Sequence, residues 1–448
     1  MIKKRSIAMG LSMALLCGSM AFASAEVIPA DVSVLNDAGR GIYVENLSQE
    51  AMDALTETTV IKTDASKTGY LVTFRYYAPD AKRVRIRGEW SFATDRGSFY
   101  PMSDNVMPED YEDGMFPLQV NQKDWPAFDM TKNEETGVWS YTIALPSGTW
   151  SYRFIVDGTP GAALTDYSEA FVETDPNNRP IEKELGEQGN SQVRVPFDAD
   201  RQSVDNSIQL PRSDEKVGTM TYYTYEAVGC DGELKDDPAI TVYTPYGYDA
   251  QRTEPYKVMY LSHGAGLESE TSWVNKGSVS FMMDNLIADY GVEPFVLVVI
   301  NNYAVNFDVE NFINNVVPLV EANYNVATNR ENKALAGLSM GGRFTVLNML
   351  DHPKAFGYYG VFSGGFFANM YSAEELNAIT FDADALADAH IYLATGSKEF
   401  GLPAILNTSE RLSKSGVTGY HAQLFDGGHD WNVWRQCFAD FVLNELWK

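Results

Sequence analysis

Ser339 stands in the segment ALAGLSMGGRF, residues 334–344, between a short apolar run and a stretch of helical pattern. A G-x-S-x-G group can present a serine hydroxyl as a nucleophile on a sharp strand-to-helix turn, where small neighbours let the flanking backbones approach. Gly337, Gly341 and Gly342 are those neighbours, and the following helix start favours developing negative charge. The motif is short, and a serine that merely packs in a turn reads the same way. What separates the two is the company Ser339 keeps.

A serine hydroxyl is a weak nucleophile without a base, and a base needs a carboxylate to orient it. The chain has five histidines. His263 lies upstream in LSHGAG, His352 follows the helical stretch, and His390 and His421 open apolar runs. Only His429, in FDGGHDWNVW, follows a late strand in a loop, where the order nucleophile, acid, base places it. Between the two, the run IYLATG ends in SKEF, which makes Glu399 the favoured acid. Asp426 is the rival but lies only three residues before His429, and Asp382, Asp384 and Asp388 read as solvated acids. An oxyanion hole needs two backbone N–H groups; Met340 directly after the serine is one donor, and the LSHGAG loop with Gly264 and Ala265 suits the second.

These residues need a frame. From residue 218 onward the runs YKVMYLSHG, PFVLVVINN, KALAGLS, YYGVFSGG and HIYLATG alternate with helical stretches such as SFMMDNLIADYG and GRFTVLNMLDHP. Buried strands alternating with helices predict an α/β fold, a mostly parallel sheet covered on both faces, over 218–448. Residues 59–175 differ: YLVTFRYYA, RVRIRGEW, GVWSYTIAL and TWSYRFIVDG alternate polar with apolar residues between turn signals, the pattern of a small all-β sandwich. Residues 91–131 read as a long acidic insertion, 176–217 as a linker with one short strand at most, and 26–58 as a leader.

The N-terminus has the order of an export signal: MIKKR, then the apolar IAMGLSMALL, then AFASA with cleavage before Glu26. The expected location is secreted or periplasmic, with 1–25 removed. Cys230 and Cys437 then remain, and sequence leaves open whether they pair. The 34 basic against 61 acidic residues give a formal charge of −27, which argues against nucleic acid or anionic membrane as partner. No zinc spacing, P-loop or Rossmann fingerprint occurs, so neither a metal nor an organic cofactor is expected.

Taken together, HGAG followed by SETSW, VVINN, GLSMGG and GGHDWNVWR resemble the esterase D-like α/β-hydrolases, and most nearly the feruloyl esterases of the first carbohydrate esterase family. The resemblance covers about 218–448. It implies Ser339 as nucleophile, His429 as base, and Met340 with Ala265 as oxyanion donors; where this chain has Glu399 the family commonly has aspartate. It implies a secreted serine esterase acting on feruloyl or acetyl groups of plant xylan, with Trp273, Asn301 and Asn302 as candidate substrate contacts at loop and strand ends. Enterochelin-type siderophore esterases share the fold and are the enzymatic alternative; a glycan-binding protein with an inactive hydrolase domain is the third reading. The block 59–175 resembles the early-set, glycogen-binding-like sandwiches. Trp139 and Trp150 are expected in its core, and Trp90 and Trp125, nearer the insertion, are candidate glycan contacts.

Overall fold

A computed structural model describes residues 57–93, 106–118, 125–157, 172–176, 190–225 and 238–448 apart from 267 and 306, with the backbone of two short strands at 28–30 and 42–43. The export signal, most of the leader, and Cys230 lie outside the described residues.

The N-terminal part is two sheets packed face to face, antiparallel except where Ile42–Tyr43 pairs in parallel with Thr59–Lys62 at one edge. One carries β1 (Tyr70–Tyr77) beside the strand Val138–Ile143, here β3; the other carries β2 (Val84–Gly88) beside β4 (Gly148–Val156). Between them lies a core of Val72, Phe74, Ile86, Tyr152, Phe154 and their neighbours. The period-two alternation of the sequence produces this, since it turns every second side chain inward.

The one short strand that 176–217 allowed is present as β5 (Ser191–Val195), but it belongs to the sandwich: it pairs with β4 and buries Val193 and Val195 in that core. One expectation needs correction here. The glycan-contact tryptophans are both inside: Trp90 is 0 % exposed and Trp125 6 %. Trp90 lies over Gly88, where an added Cβ would sit 2.2 Å from the indole ring, and beside Phe74 with ring centroids 5.4 Å apart. A ring packed on both faces has none to offer a sugar. Trp139 and Trp150 are buried as well, their indole N–H groups donating to the carbonyls of Ala78 and Pro146.

The C-terminal part is an α/β-hydrolase sheet. Its strands are β6 (Thr219–Thr224), β7 (Ala239–Thr244), β8 (Val258–Ser262), β9 (Val296–Ile300), β10 (Lys333–Leu338), β11 (Tyr358–Phe362), β12 (His390–Gly396) and β13 (Tyr420–Phe425). The order across the sheet is Ile28–Ala30, β6, β7, β9, β8, β10, β11, β12, β13. The first pairings are antiparallel, and from β9 to β13 every pairing is parallel. The central strands are buried at every position from β8 through β11 save Lys333, so they read as continuous apolar runs. Edge strand β13 is not buried at any position, and Leu424 on it is 54 % exposed. Helices α1 (Val279–Tyr290), α2 (Met340–Asp351), α3 (Leu402–Lys414) and α4 (Trp431–Asp440) cover the faces. One apolar cluster lies on each side of the sheet.

Candidate active site

Parallel strands deliver their C-terminal ends to one edge of the sheet, and the loops there carry the chemistry. Ser339 follows β10 and precedes α2, with φ 51° and ψ −115°. A non-glycine residue at positive φ is strained, and close packing around it sustains the strain. A Cβ on Gly341 would lie 2.5 Å from the His263 carbonyl and 2.7 Å from that of Ser262, and one on Gly337 would lie 2.6 Å from the Gly341 backbone. The Ser339 N–H donates to the Phe362 carbonyl at 2.8 Å, which ties the turn to β11.

His429 lies in the loop between β13 and α4, and its Nε2 is 2.9 Å from Ser339 Oγ. Its Nδ1 bonds Glu399 Oε2, so Nδ1 carries the proton and Nε2 is free to accept from the serine. Glu399 follows β12, and its Oε1 accepts from Ser363 Oγ at 2.6 Å, from Thr395 Oγ1 and from the Gly396 N–H at 2.7 Å. Burial works against ionising this carboxyl, but the bonds from His429, Ser363 and Thr395 outweigh it and hold its pKa below the ordinary carboxylate value. The rival Asp426 faces outward and pairs with Lys398 at 3.2 Å. Ser339, Glu399 and His429 are all buried, from three separate loops brought together by the sheet.

Asp430 caps α4: its carboxylate accepts from the N–H groups of Asn432 at 2.8 Å, Val433 at 3.2 Å and Gly428 at 3.2 Å. These bonds fix the chain on both sides of His429. Burial, with Glu399 and Glu89 nearby, pushes its carboxyl up to about 7. The sequence signal was present, since an Asp directly before an amphipathic run is a capping signature. Ser363 was also missed as a partner of the acid. It too sits at positive φ, 51°, in the glycine-flanked FSGG at the end of β11.

The loop 263–266 lies against the elbow, where a Cβ on Gly264 would meet Leu338 Cδ1 at 2.7 Å and Ser339 Cβ at 3.3 Å. Ala265 is exposed and Met340 half-buried at the first position of α2, whose N–H has no partner within the helix. His263 is fully buried; its Nδ1 bonds the Gly264 carbonyl at 2.7 Å and its Nε2 accepts from the Asn302 N–H at 3.0 Å. It is a brace for the loop.

The three candidate substrate contacts are brace residues too. Trp273 is 0 % exposed, donates to the Ser262 carbonyl at 3.1 Å and packs edge-on against Trp431. Asn302 accepts from Ser262 Oγ at 2.7 Å and donates to the His263 carbonyl, and Asn301 donates to Glu270 at 2.7 Å. Their polar atoms are spent on protein partners. His429 is bordered by buried Trp434, with ring centroids 5.0 Å apart, and by Phe400, 42 % exposed, with its ring centroid 4.1 Å away. Among the described residues no group of three or more His, Cys, Asp or Glu could hold a metal.

Comparisons with known proteins fit this arrangement. Residues 232–444 match the family model Esterase, described as "Putative esterase". The endo-1,4-beta-xylanase/feruloyl esterase of Xylanibacter ruminicola is 35% identical over 212 residues, covering 44% of this chain and 27% of that protein. The endo-1,4-beta-xylanase Y of Acetivibrio thermocellus is 28% identical over 180 residues, covering 36% of this chain and 16% of that protein. The chain thus spans well under a third of the length of these curated relatives. Among solved structures, the enterobactin esterase of Shigella flexneri superposes with a TM-score of 0.54 at 18% identity, covering 89% of this chain and 98% of that one, a likeness of fold. Over its C-terminal half the chain resembles esterases of the feruloyl type, on an α/β-hydrolase fold.

Proposed function

We propose that this protein is an exported serine carboxylic ester hydrolase that cleaves feruloyl or acetyl esters on plant xylan. The observation that carries the reading is the relay Ser339–His429–Glu399, with the base 2.9 Å from the nucleophile and the acid on the far side of its ring. In this reading Ser339 Oγ attacks the ester carbonyl carbon while His429 Nε2 takes its proton. The N–H groups of Met340 and Ala265 receive the oxyanion. The imidazolium, steadied by Glu399, returns the proton to the departing alcohol and leaves an acyl-enzyme. Water, activated by His429, then releases the acid. The feruloyl esterase name among the relatives supports the substrate class. Export rests on the N-terminal signal pattern, and no helix among the described residues is long and apolar enough to cross a membrane.

A siderophore-ester reading draws on the fold likeness to the enterobactin esterase, which extends over the sandwich as well as the hydrolase. One experiment separates the readings: release of ferulate and acetate from arabinoxylan, beside hydrolysis of enterobactin, by wild type and Ser339→Ala. Ferulate or acetate release that falls by about 10³-fold or more in the variant is expected. Enterobactin hydrolysis with inert xylan would move the substrate class. Equal inertness of both proteins, with retained xylan binding, would favour the glycan-binding alternative and sink the catalytic reading.

A further inference from the structure

The base of the relay is held from outside the hydrolase sheet. Helix α4 begins one residue after His429 with its cap Asp430, and one turn further on it buries Arg435, 2 % exposed. That guanidinium donates to the Lys276 carbonyl from Nε at 2.9 Å and from Nη2 at 2.6 Å, and from Nη1 to Asn432 Oδ1 at 2.7 Å. Its Nη2 also reaches the carbonyl of Thr149 at 3.4 Å, on sandwich strand β4. One side chain therefore joins the first turn of α4, the segment before α1, and the sandwich.

A buried guanidinium is weak evidence for stability, because an apolar side chain of the same size would avoid its desolvation. What the planar fork supplies is direction, with several donors held at set angles. Burial lowers its pKa to about 10 while Glu89 of the sandwich and Asp430 oppose the shift, so it is cationic at neutral pH. The two acids that support it stand on either side of the interface.

A second contact reaches the acid. Phe116, in the antiparallel pair of short strands Phe92–Ala93 and Phe116–Pro117, lies 5.3 Å from Lys398 Nζ by its ring centroid. Lys398 directly precedes Glu399, donates its N–H to the Gly427 carbonyl at 3.0 Å and pairs with Asp426, so it fastens the acid loop to the His429 loop. A third contact flanks both: Arg194 of β5 donates to Ser278 Oγ at 3.2 Å and lies over the Phe281 ring at 4.6 Å.

We propose that the β-sandwich is a positioning part of the catalytic unit, with Arg435 the positioning residue that sets α4 and the His429 loop against it and Phe116 a second prop beneath the acid loop. The inference rests on the triad reading above but on none of its substrates. A displacement of about 1 Å in a reacting group can cost on the order of 10²-fold in rate, so such props belong to catalysis even without touching substrate.

The test uses the full chain and a small fluorophosphonate probe. Ser339 Oγ forms the bond to phosphorus, fluoride leaves, and His429 Nε2 takes the serine proton, so the rate reads serine–histidine alignment independently of any natural ester. Labelling is followed from pH 5 to 9 for wild type, Arg435→Met, Arg435→Lys and Phe116→Ala, each well below its own unfolding onset. The expected result is a fall of about tenfold or more for Arg435→Met per folded molecule, with partial recovery in Arg435→Lys, which keeps the charge and loses the fork. Phe116→Ala, which leaves the hydrolase core intact, is expected to slow labelling as well, and it decides the matter if Arg435→Met does not fold. Wild-type labelling rates in the folded variants, whatever their melting temperatures, would overturn the inference alone. Wild-type protein that does not label would overturn the triad reading and this inference with it.

Discussion

Two carboxyls beside one histidine have opposite electrostatics in this chain. Glu399 is buried yet held ionised, because His429 and two hydroxyls donate to it. Asp430 is buried, its hydrogen bonds come from backbone N–H groups, and Glu399 and Glu89 lie nearby; burial above all carries its carboxyl up to about 7. The sign follows from proton linkage. A carboxyl whose folded pKa lies above the ordinary 3.8 binds more protons folded than unfolded, so it favours folding in acid and loses that contribution as pH rises toward 7. Asp430→Asn keeps an acceptor for the helix start while removing the titration. The melting-temperature difference, wild type minus variant, is expected to be most positive near pH 4 and to shrink steadily up to about pH 7. A difference independent of pH would show that Asp430 is already ionised throughout.

At the scale of elements, the nucleophile turn is a packing problem solved by missing Cβ atoms. Gly341 lies on the first turn of α2, and its close neighbours are carbonyl oxygens of the 262–263 segment, which leads into the loop proposed to hold the second oxyanion donor. Those oxygens are backbone and have little room to give. Gly341→Ala is expected to destabilise the protein by about 1–3 kcal/mol or more and to lower kcat through displacement of Ser339. Urea unfolding with steady-state kinetics on an aryl acetate checks it; unchanged stability would mean that the elbow and the loop separate more easily than their spacing implies.

For the molecule as a whole, the tryptophans of the sandwich are structural. Trp90 fills the core beside Phe74 and over Gly88, so Trp90→Ala is expected to cost about 3–5 kcal/mol in the stability of that unit. Affinity for arabinoxylan, measured per folded molecule, should not change. Weakened xylan binding by a fully folded Trp90→Ala protein would restore a glycan face at this residue. Because the sandwich contacts α4 and the acid loop, its unfolding is expected to reduce activity along with stability.

Neighbouring residues were enough to read the strand–turn–helix around Ser339, the late loop of His429, and the change from two-residue to helical periodicity near residue 218. Each of those is a local pattern, written in residues that touch along the chain. Glu399 was legible by its place after a strand, and the bonds that charge it were not, because Ser363 comes from a different strand end. Trp90, Trp125, Trp273, Asn301 and Asn302 differ from expectation for one reason, whereas Trp139 and Trp150 lie in the core as expected. A large amphipathic side chain at a loop or strand end suits a ligand platform and a buried brace equally, and which it becomes depends on what distant chain covers it. A short strand within 176–217 was legible, but its place in the sandwich was not, because its two buried valines matter only once β4 lies beside them. The chemistry was written locally, and the question of which groups face solvent was settled by packing between segments far apart in sequence.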